Sequence, residues 1–276
     1  MKSRTFRYAC AAALTVLAVR MGVSQTTRPA TAPATLPGTI PQPQAFVELA
    51  AKAAKIRGVH AVGRWELARP PLEGGKARKD VFAFEVWAAP PRMRASVDSP
   101  SRQTRVSDGQ FVYTYAREPR RPVEARRRAL SEANVYHAAG LGGPVLDAAR
   151  GYASLVRSVR LCPMPEPAGF AKAFPKLKWF RIEGVTMPRH HLVAGTAKVI
   201  VGISPADGLM RVMIAQLPEP EKPPTTSSVF FDKVTVREVK AEEMMLPNEA
   251  GTAQWMDTDR KQAIPVPTQL IAPNKP

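Results

Sequence analysis

Cysteine is nearly absent from this chain, which limits how its fold can be held together. The 276 residues contain two cysteines, Cys10 and Cys162. Cys10 lies ahead of most of an apolar run near the N-terminus, which is the wrong position for a lipid-modified cysteine. Removal of that N-terminal segment would leave Cys162 without a partner, so the mature chain cannot form an intramolecular disulfide. We expect Cys162 to be a small, partly buried apolar side chain.

A long apolar run is also missing. The run at residues 8–19 ends at Arg20, whereas a membrane-spanning helix needs about 20 apolar residues. Three basic residues precede this run, and small and polar residues follow it as far as Ser24. This order is typical of a secretory signal peptide rather than of a membrane anchor. We therefore predict that residues 1–24 are a cleaved signal peptide and that the mature protein is exported.

Acidic residues are outnumbered by basic ones, 23 against 40, and the formal net charge is +17. Removal of the four basic residues of segment 1–24 leaves +13 on the mature chain. This sign of charge favours anionic partners such as phospholipid head groups or nucleic acid. Arginine scattered through alanine- and proline-rich sequence is also what a compositional bias of the genome produces, and both explanations stay open.

The strongest basic run is "AREPRRPVEARRR", residues 116–128. It has no interleaved aromatic residues, and an exported protein lacks the cytoplasmic location that nucleic-acid binding would need. We therefore expect no nucleic-acid partner. The run is expected to be a solvated loop or, alternatively, a contact with anionic lipid or with an acidic partner.

Short motifs that mark common reaction centres are absent as well. The sequence has no G-x-S-x-G, C-x-x-C or H-E-x-x-H motif and no phosphate-binding glycine loop. His190 and His191 are adjacent, so on a strand they would point to opposite faces and could not easily hold one ion. His60 and His137 lie far from them in the sequence. We predict a protein that is not an enzyme, with no catalytic residues, metal site or cofactor.

Proline-rich segments at both ends enclose a single domain. Residues 25–43 and 251–276 are punctuated by proline, and such sequences cannot bury a core. We predict an extended linker at 25–43, one domain at 44–250 and a flexible tail at 251–276.

Hydrophobic periodicity assigns most of this domain to strands. Helical spacing predicts helices at 44–58, 129–140 and 142–161. Alternation predicts strands, and Asp108-Gly109 and Asp207-Gly208 predict hairpin turns. The predicted strands are 60–68, 79–89, 92–98, both sides of Asp108-Gly109, 176–185, 196–204, 208–217 and 227–239. This content favours a mainly β (α+β) fold, in which helices cover one face of a large, curled antiparallel sheet.

The strand that follows Asp108-Gly109 has an aromatic face. Phe111, Tyr113 and Tyr115 alternate with smaller residues and therefore share one side of the strand. Two interpretations stay open: these rings are ordinary core beneath the helices, or they line a space for a ligand.

Two segments give the chain a family resemblance. "EVWAAPPRMRASVDSPSRQTRVSDGQFVYTY" (85–115) resembles the strand–Pro–strand–S-D-G–strand segment of the LolA-like superfamily of periplasmic lipoprotein carriers. "SSVFFDKVTVREVKAEEMMLP" (227–247) is similar to the last strands of that group. The resemblance covers about 44–250 and implies a strongly curved, incomplete antiparallel β-barrel whose apolar concave face is lidded by helices. It also implies a periplasmic location and a cavity for the acyl chains of lipoproteins.

The chain departs from the family at one position. In the carriers a basic residue usually precedes the proline after the third strand and hydrogen-bonds the lid. Here Pro90 precedes Pro91, and proline has no side-chain donor. Arg92 or Arg94 would be the replacement.

These features predict a non-catalytic periplasmic binder or carrier of lipid or lipoprotein acyl chains. Its expected partners are lipoprotein acyl chains or phospholipid, together with an inner-membrane exporter or an outer-membrane acceptor. We expect transient membrane contact and a monomer. The alternative is an envelope-stress sensor or regulatory module that acts through a protein interface, using the charge of residues 117–128.

The predicted cavity combines bulky side chains from two strands and the mid-chain helix. An antiparallel sheet with one covered face needs such sets to lie together, so we expect both strands to present theirs to the concavity. The predicted lining residues are Phe82, Phe84, Val86, Phe111, Tyr113, Tyr115, Leu146 and Tyr152.

Overall fold

The computed structural model describes most of the predicted domain and the segment that follows it. The described residues are 40–71, 76–99, 102–119, 121–131, 135–183, 198–219 and 222–273. The predicted signal peptide, most of the predicted linker and the pair His190-His191 lie outside these ranges. No helix within these ranges is long and apolar enough to cross a membrane.

Within the described residues, thirteen strands form one sheet that does not close. The strands are β1 (Val59–Arg69), β2 (Arg78–Ala89), β3 (Arg92–Asp98), β4 (Gln103–Ser107), β5 (Phe111–Ala116), β6 (Glu124–Ala129), β7 (Arg160–Met164), β8 (Lys178–Glu183), β9 (Lys198–Ile203), β10 (Met210–Glu219), β11 (Lys222–Val236), β12 (Trp255–Asp257) and β13 (Gln262–Ile264). Their order is β13-β12-β6-β5-β4-β3-β2-β1-β11-β10-β9-β8-β7. All neighbours pair antiparallel except β12 and β6, which are parallel. The predicted mainly β fold, a curved and incomplete barrel, is confirmed.

In the part of the chain that the structure describes, four short α-helices accompany the sheet: α1 (Gln44–Ala53), α2 (Val135–Ala139), α3 (Gly143–Ala148) and α4 (Ala153–Ser158). Single turns of 3₁₀-helix occur at Gly140–Gly142, Ala241–Met244, Asn248–Thr252 and Thr268–Leu270. The predicted mid-chain helices are therefore shorter than expected. One reason is that Gly151 and Tyr152 adopt φ values of 70° and 58°, which stop the helical path between α3 and α4.

The basic run is partly a strand, which corrects the expectation of a solvated loop. Residues 124–129 form β6 and pair with β5 along its whole length. The strand places Ala125 and Arg127 on one face of the sheet and Arg126 and Arg128 on the other.

The main core lies between the sheet and the four helices. It joins Phe46 and Leu49 of α1 to apolar side chains of β1–β3 and β7–β11. The Phe46 ring lies 5.3 Å from the Tyr152 ring and 5.7 Å from the Phe180 ring, measured between centroids. We call this side the helix-covered face and the opposite side the outer face.

The outer face carries two smaller apolar clusters, each covered by irregular chain. The first centres on Trp179, Val212 and Phe230, beneath the segment that contains Phe170 and Phe174. The second contains Tyr113, Tyr115 and Trp255, together with Leu246 and Ala250. We call residues 241–273, which cover the second cluster, the C-terminal strap.

The strap corrects the prediction of a flexible tail, which is wrong for residues 251–273. Trp255 is buried, donates from Nε1 to the Ala250 carbonyl at 3.0 Å, and lies 5.9 Å from the Tyr113 ring. Arg127 Nη2 contacts Asp257 Oδ2 at 2.5 Å. The buried Trp255 ring, the ion pair of Arg127 with Asp257 and the pairing of β12 with β6 together fix the strap.

Removal of the Trp255 ring tests how firmly the strap is attached. Trp255→Ala should lower the free energy of unfolding by about 3–5 kcal/mol, because it leaves a large cavity against Tyr113. Urea denaturation measures the change. The neighbouring Met256 is exposed, so Met256→Ala is the matched control and should change stability by no more than about 0.5 kcal/mol. Equal stability of the two variants would show that the strap does not pack as described.

Candidate functional site

A chain of short helices fills the helix-covered face of the sheet. We call residues 135–158, which include α2, α3 and α4, the helical plug. Every residue from 138 to 149 is buried, although none of the three helices exceeds six residues. Isolated helices of this length are unstable in water. The plug therefore depends on its contacts with the sheet for its structure.

Two glycines allow the plug to approach the sheet closely. A Cβ on Gly142 would lie 2.7 Å from Met93 Sδ and 3.2 Å from Ala95 Cβ. Gly140 has a φ of 58°, and a Cβ there would lie 2.6 Å from Arg105 Nη1. The distances of 2.7 Å and 2.6 Å are shorter than real Cβ contacts, so the backbone of the plug rests directly on the side chains of Met93 and Arg105.

Arg105 of β4 links the sheet to the plug. Its Nη1 donates to the Ala138 carbonyl at 3.1 Å, and its Nε donates to Gln103 Oε1 at 3.2 Å. Burial, with repulsion from Arg126, lowers the pKa of the Arg105 guanidinium to about 10. A charged side chain held in this environment costs free energy, which argues for a role beyond simple packing.

Two further polar side chains anchor the other end of the plug. The Tyr152 hydroxyl donates to the Gly208 carbonyl, in the turn before β10, at 2.7 Å. Just after α4, the Gln42 side chain donates from Nε2 to the Val159 carbonyl at 2.8 Å and accepts from the Leu161 N–H at 3.0 Å. These contacts tie the plug to the β9–β10 turn and to the chain that precedes α1.

Asp147 is a buried acid inside the plug. Its carboxylate accepts from the Ser154 N–H at 2.9 Å and from the Leu155 N–H at 3.3 Å, at the start of α4. Burial raises the pKa of Asp147 in spite of these hydrogen bonds. The same carboxylate adds to the effect of burial, which raises the pKa of the Tyr136 phenol well above its ordinary value.

Five of the eight predicted lining residues lie together on the helix-covered face. Phe84, Val86, Leu146 and Tyr152 are buried in the main core, and Phe82 packs against it while partly exposed. Whether they bind a ligand stays a prediction.

The other three predicted lining residues, Phe111, Tyr113 and Tyr115, lie on the outer face, so the expectation that they share one face with the other five is wrong. Strand register gives the reason. Val86 pairs with Ala95, Ala95 with Arg105, and Arg105 with Thr114. The helix-covered face of β5 is therefore formed by Thr114 and its alternate neighbours, which places the aromatic set opposite, beneath the C-terminal strap.

Neither Arg92 nor Arg94 replaces the missing basic residue at Pro90. Arg92 is exposed, and Arg94 lies over the Trp87 ring at 4.7 Å, with Nη1 3.4 Å from the Glu243 carbonyl in the strap. The arginine that contacts the helices is Arg105, which the sequence interpretation missed. The alternation of the sequence could have identified Arg105. It alternates with Thr104 and Val106, so it cannot lie on the side of β4 that faces Tyr113 and Tyr115.

Other reactive side chains are dispersed. Within the described ranges, no group of three or more His, Cys, Asp or Glu is arranged to hold a metal ion. His60 Nε2 lies 2.6 Å from Glu85 Oε1, and its ring stacks on Trp87 on the outer face. Cys162 is partly buried, and a hydrogen bond to Glu183 raises the pKa of its thiol. A thiol held in this protonated form is a poor nucleophile.

No protein-family model and no curated protein sequence matches the chain. Among solved structures, it is similar to a LolA superfamily protein from Nitrosomonas europaea, with 11% identity and a TM-score of 0.35, covering 72% of this chain and 96% of that one. It is similar to MucB in complex with MucA(peri), with 14% identity and a TM-score of 0.35, covering 72% of this chain and 57% of that one. It is also similar to a DUF1329 family protein from Desulfovibrio piger, with 9% identity and a TM-score of 0.34, covering 73% and 96%. Likenesses at this level carry nothing about ligands or partners.

Two buried acids should give opposite dependences of stability on pH. Asp147 has a pKa raised from 3.8 by burial, so stability should fall as the pH rises from 3.8 through the raised value. Asp257 has a pKa lowered from 3.8, chiefly by Arg127, so the stability it contributes above pH 3.8 should be lost as the pH falls through the lowered value.

Chemical denaturation across this pH range, compared among wild type, Asp147→Asn and Asp257→Asn, measures both effects. Asp147→Asn should remove the fall in stability above pH 3.8, and Asp257→Asn should reduce the loss of stability below pH 3.8. Identical pH profiles for the two variants would contradict the assigned environments.

Proposed function

We propose that this protein is a non-catalytic periplasmic binder of lipid acyl chains, which lie on the helix-covered face when the helical plug moves aside. The observation that carries the proposal is the way the plug is attached. Short helices cover a continuous apolar surface, and polar contacts at Arg105, Tyr152 and Gln42 hold them in place. A cover of this kind keeps the surface dry while it is empty and can be displaced by another apolar body.

The free energy that an acyl chain gains on an apolar surface is large compared with that of one polar contact of the plug. Each CH₂ group moved from water to an apolar surface gains about 0.8 kcal/mol, so a chain of about sixteen carbons gains on the order of 12 kcal/mol. A hydrogen bond from a charged donor such as Arg105 contributes about 1.5–3 kcal/mol. An acyl chain can therefore compensate for the loss of the Arg105 contact, and the contact can re-form once the chain leaves.

Phe82, Phe84 and Val86 form the proposed sheet side of the site, and Leu146 and Tyr152 belong to the plug that leaves it. In this proposal the protein is a monomer that receives lipoprotein acyl chains or phospholipid in transient contact with a membrane. An inner-membrane exporter or an outer-membrane acceptor would deliver or remove the chain. No residue of the site needs to perform chemistry.

Native mass spectrometry of the exported protein tests the proposal. We expect a fraction of the protein to carry co-purified lipid, since the apolar face offers the chain a drier environment than water. Tyr113→Ala, on the outer face, should lower stability but keep the bound lipid. Protein that never carries lipid, even after incubation with phospholipid vesicles, would contradict the proposal and favour the alternative of a module that acts through a protein interface.

Arg105→Met tests the role of the arginine contact. Without the hydrogen bond to the Ala138 carbonyl, the plug should open more often, and uptake of a fluorescent fatty acid should be up to about tenfold faster. Stopped-flow fluorescence measures the rate. Arg94→Met is the matched control, because it removes a partly buried arginine from the outer face and should leave uptake unchanged. Equal rates for the two variants would show that Arg105 does not hold the plug.

A further inference from the structure

The helix-covered face changes from apolar side chains on β2 to arginines on β6. This change indicates which class of ligand the site would take. The inference rests on the proposed acyl-chain site. One cross-strand row runs through Val86, Ala95, Arg105, Thr114 and Arg126. Neighbouring strands are spaced by about 4.8 Å, so the row is about 19 Å long. It begins in the apolar core and ends at a cation.

A second arginine stands beside the end of this row. Arg128 is two residues beyond Arg126 on β6, and it pairs across the sheet with Val112, on the same side as Thr114. Arg126 and Arg128 both lower the pKa of Arg105 by charge repulsion, which places the three guanidinium groups within electrostatic reach of one another. We call Arg105, Arg126 and Arg128 the basic row.

Two of these guanidinium groups contact carboxylates. Arg126 Nη1 lies 2.6 Å from Glu124 Oε1, and Arg128 Nε lies 3.6 Å from Asp259 Oδ1. Partly exposed ion pairs of this kind hold their partners weakly and can exchange for another anion. The basic row thus places three guanidinium groups, two of them paired with partly exposed carboxylates, at the border of the apolar face.

A guanidinium group suits one kind of ligand atom in particular. Its planar array of donors matches the oxygens of a phosphate or carboxylate and binds them by paired, charge-assisted hydrogen bonds. Along the row, an apolar surface is followed by guanidinium donors. Such a surface is complementary to a molecule in which an apolar chain is followed by an anionic head group.

We propose that the ligand is an anionic amphiphile, with its acyl chain against Phe84 and Val86 and its phosphate or carboxylate head on Arg126 and Arg128. Arg105 lies between these two regions. Opening of the plug frees its guanidinium from the Ala138 carbonyl, so the same side chain that holds the empty state is then available to the anionic head.

Probes with the same chain and different head groups separate this inference from the function beneath it. Hexadecyl phosphate and hexadecanol compete against a bound fluorescent fatty acid on the full mature protein, and inorganic phosphate is tested alone. Wild type should bind hexadecyl phosphate about tenfold more tightly than hexadecanol, as expected for charge-assisted contacts. Salt should reduce this preference, and inorganic phosphate should not displace the reporter.

In the double variant Arg126→Gln/Arg128→Gln, the ratio of the affinity for hexadecyl phosphate to the affinity for hexadecanol should fall close to one. The affinity for hexadecanol itself should not change. Arg181→Gln is the matched control, because Arg181 contacts Glu183 two residues along its strand at 2.6 Å, as Arg126 contacts Glu124. Arg181 belongs to the outer face, on the side of Trp179, and its loss should leave the preference intact.

Each result decides one claim. Equal binding of the two hexadecyl probes by wild type would overturn the anionic head and leave the acyl-chain site standing, as would a preference that survives in the double variant. Displacement by inorganic phosphate as strong as by hexadecyl phosphate would reduce the site to an anion site. Binding of neither hexadecyl probe, nor of the reporter, would overturn the proposed function together with this inference.

Discussion

The structure depends on one constraint: a single sheet carries large apolar side chains on both of its faces, so both faces must be covered. The four helices cover one face, and two segments of irregular chain cover parts of the other. A half-covered antiparallel sheet would instead alternate apolar and polar residues on every strand. Strand β5 shows the difference, since Val112, Thr114 and Ala116 are buried on one side and Tyr113 and Tyr115 on the other.

The two sides are covered by different physical means. The C-terminal strap is held by the buried Trp255 ring and by the contact between Arg127 and Asp257, whose mutual attraction lowers the pKa of the acid. The helical plug contains an acid whose pKa is raised, Asp147, and it rests on an arginine whose pKa is lowered, Arg105. The ion pair of Arg127 with Asp257 therefore stabilises the strap. Burial instead disfavours the charged forms of Asp147 in the plug and of Arg105 beneath it. A segment with such an electrostatic cost is better suited to move than one without it.

Sequence patterns predicted most of the strands, the hairpins and the covering helices, because alternation and turn dipeptides act over a few residues, but they missed β6 and β7. They did not give the face on which each strand presents its large side chains. Phe84 and Tyr113 each belong to a clear alternate set, but whether the sets coincide depends on the pairings through β3 and β4, and a shift of one residue reverses the answer. The strap was missed for a related reason: proline-rich composition argues against a core, yet Trp255 binds to a surface formed by strands more than 100 residues earlier. Alternation places Arg105 on the side of β4 opposite Thr104 and Val106, but its contact with Ala138 depends on a segment 33 residues further along the chain.

The end of the sheet at β7 has a consequence for how copies of this protein behave when they meet. A sheet edge normally presents N–H groups on which a second sheet can grow. At β7 the Leu161 N–H is already bound to the Gln42 side chain, whose amide also donates to the Val159 carbonyl, as a neighbouring strand would. Two residues further along, on the same side, Pro163 has no N–H to offer. The edge is thus closed by one amide side chain and one imino acid, and the open barrel can stay open without polymerising through this end.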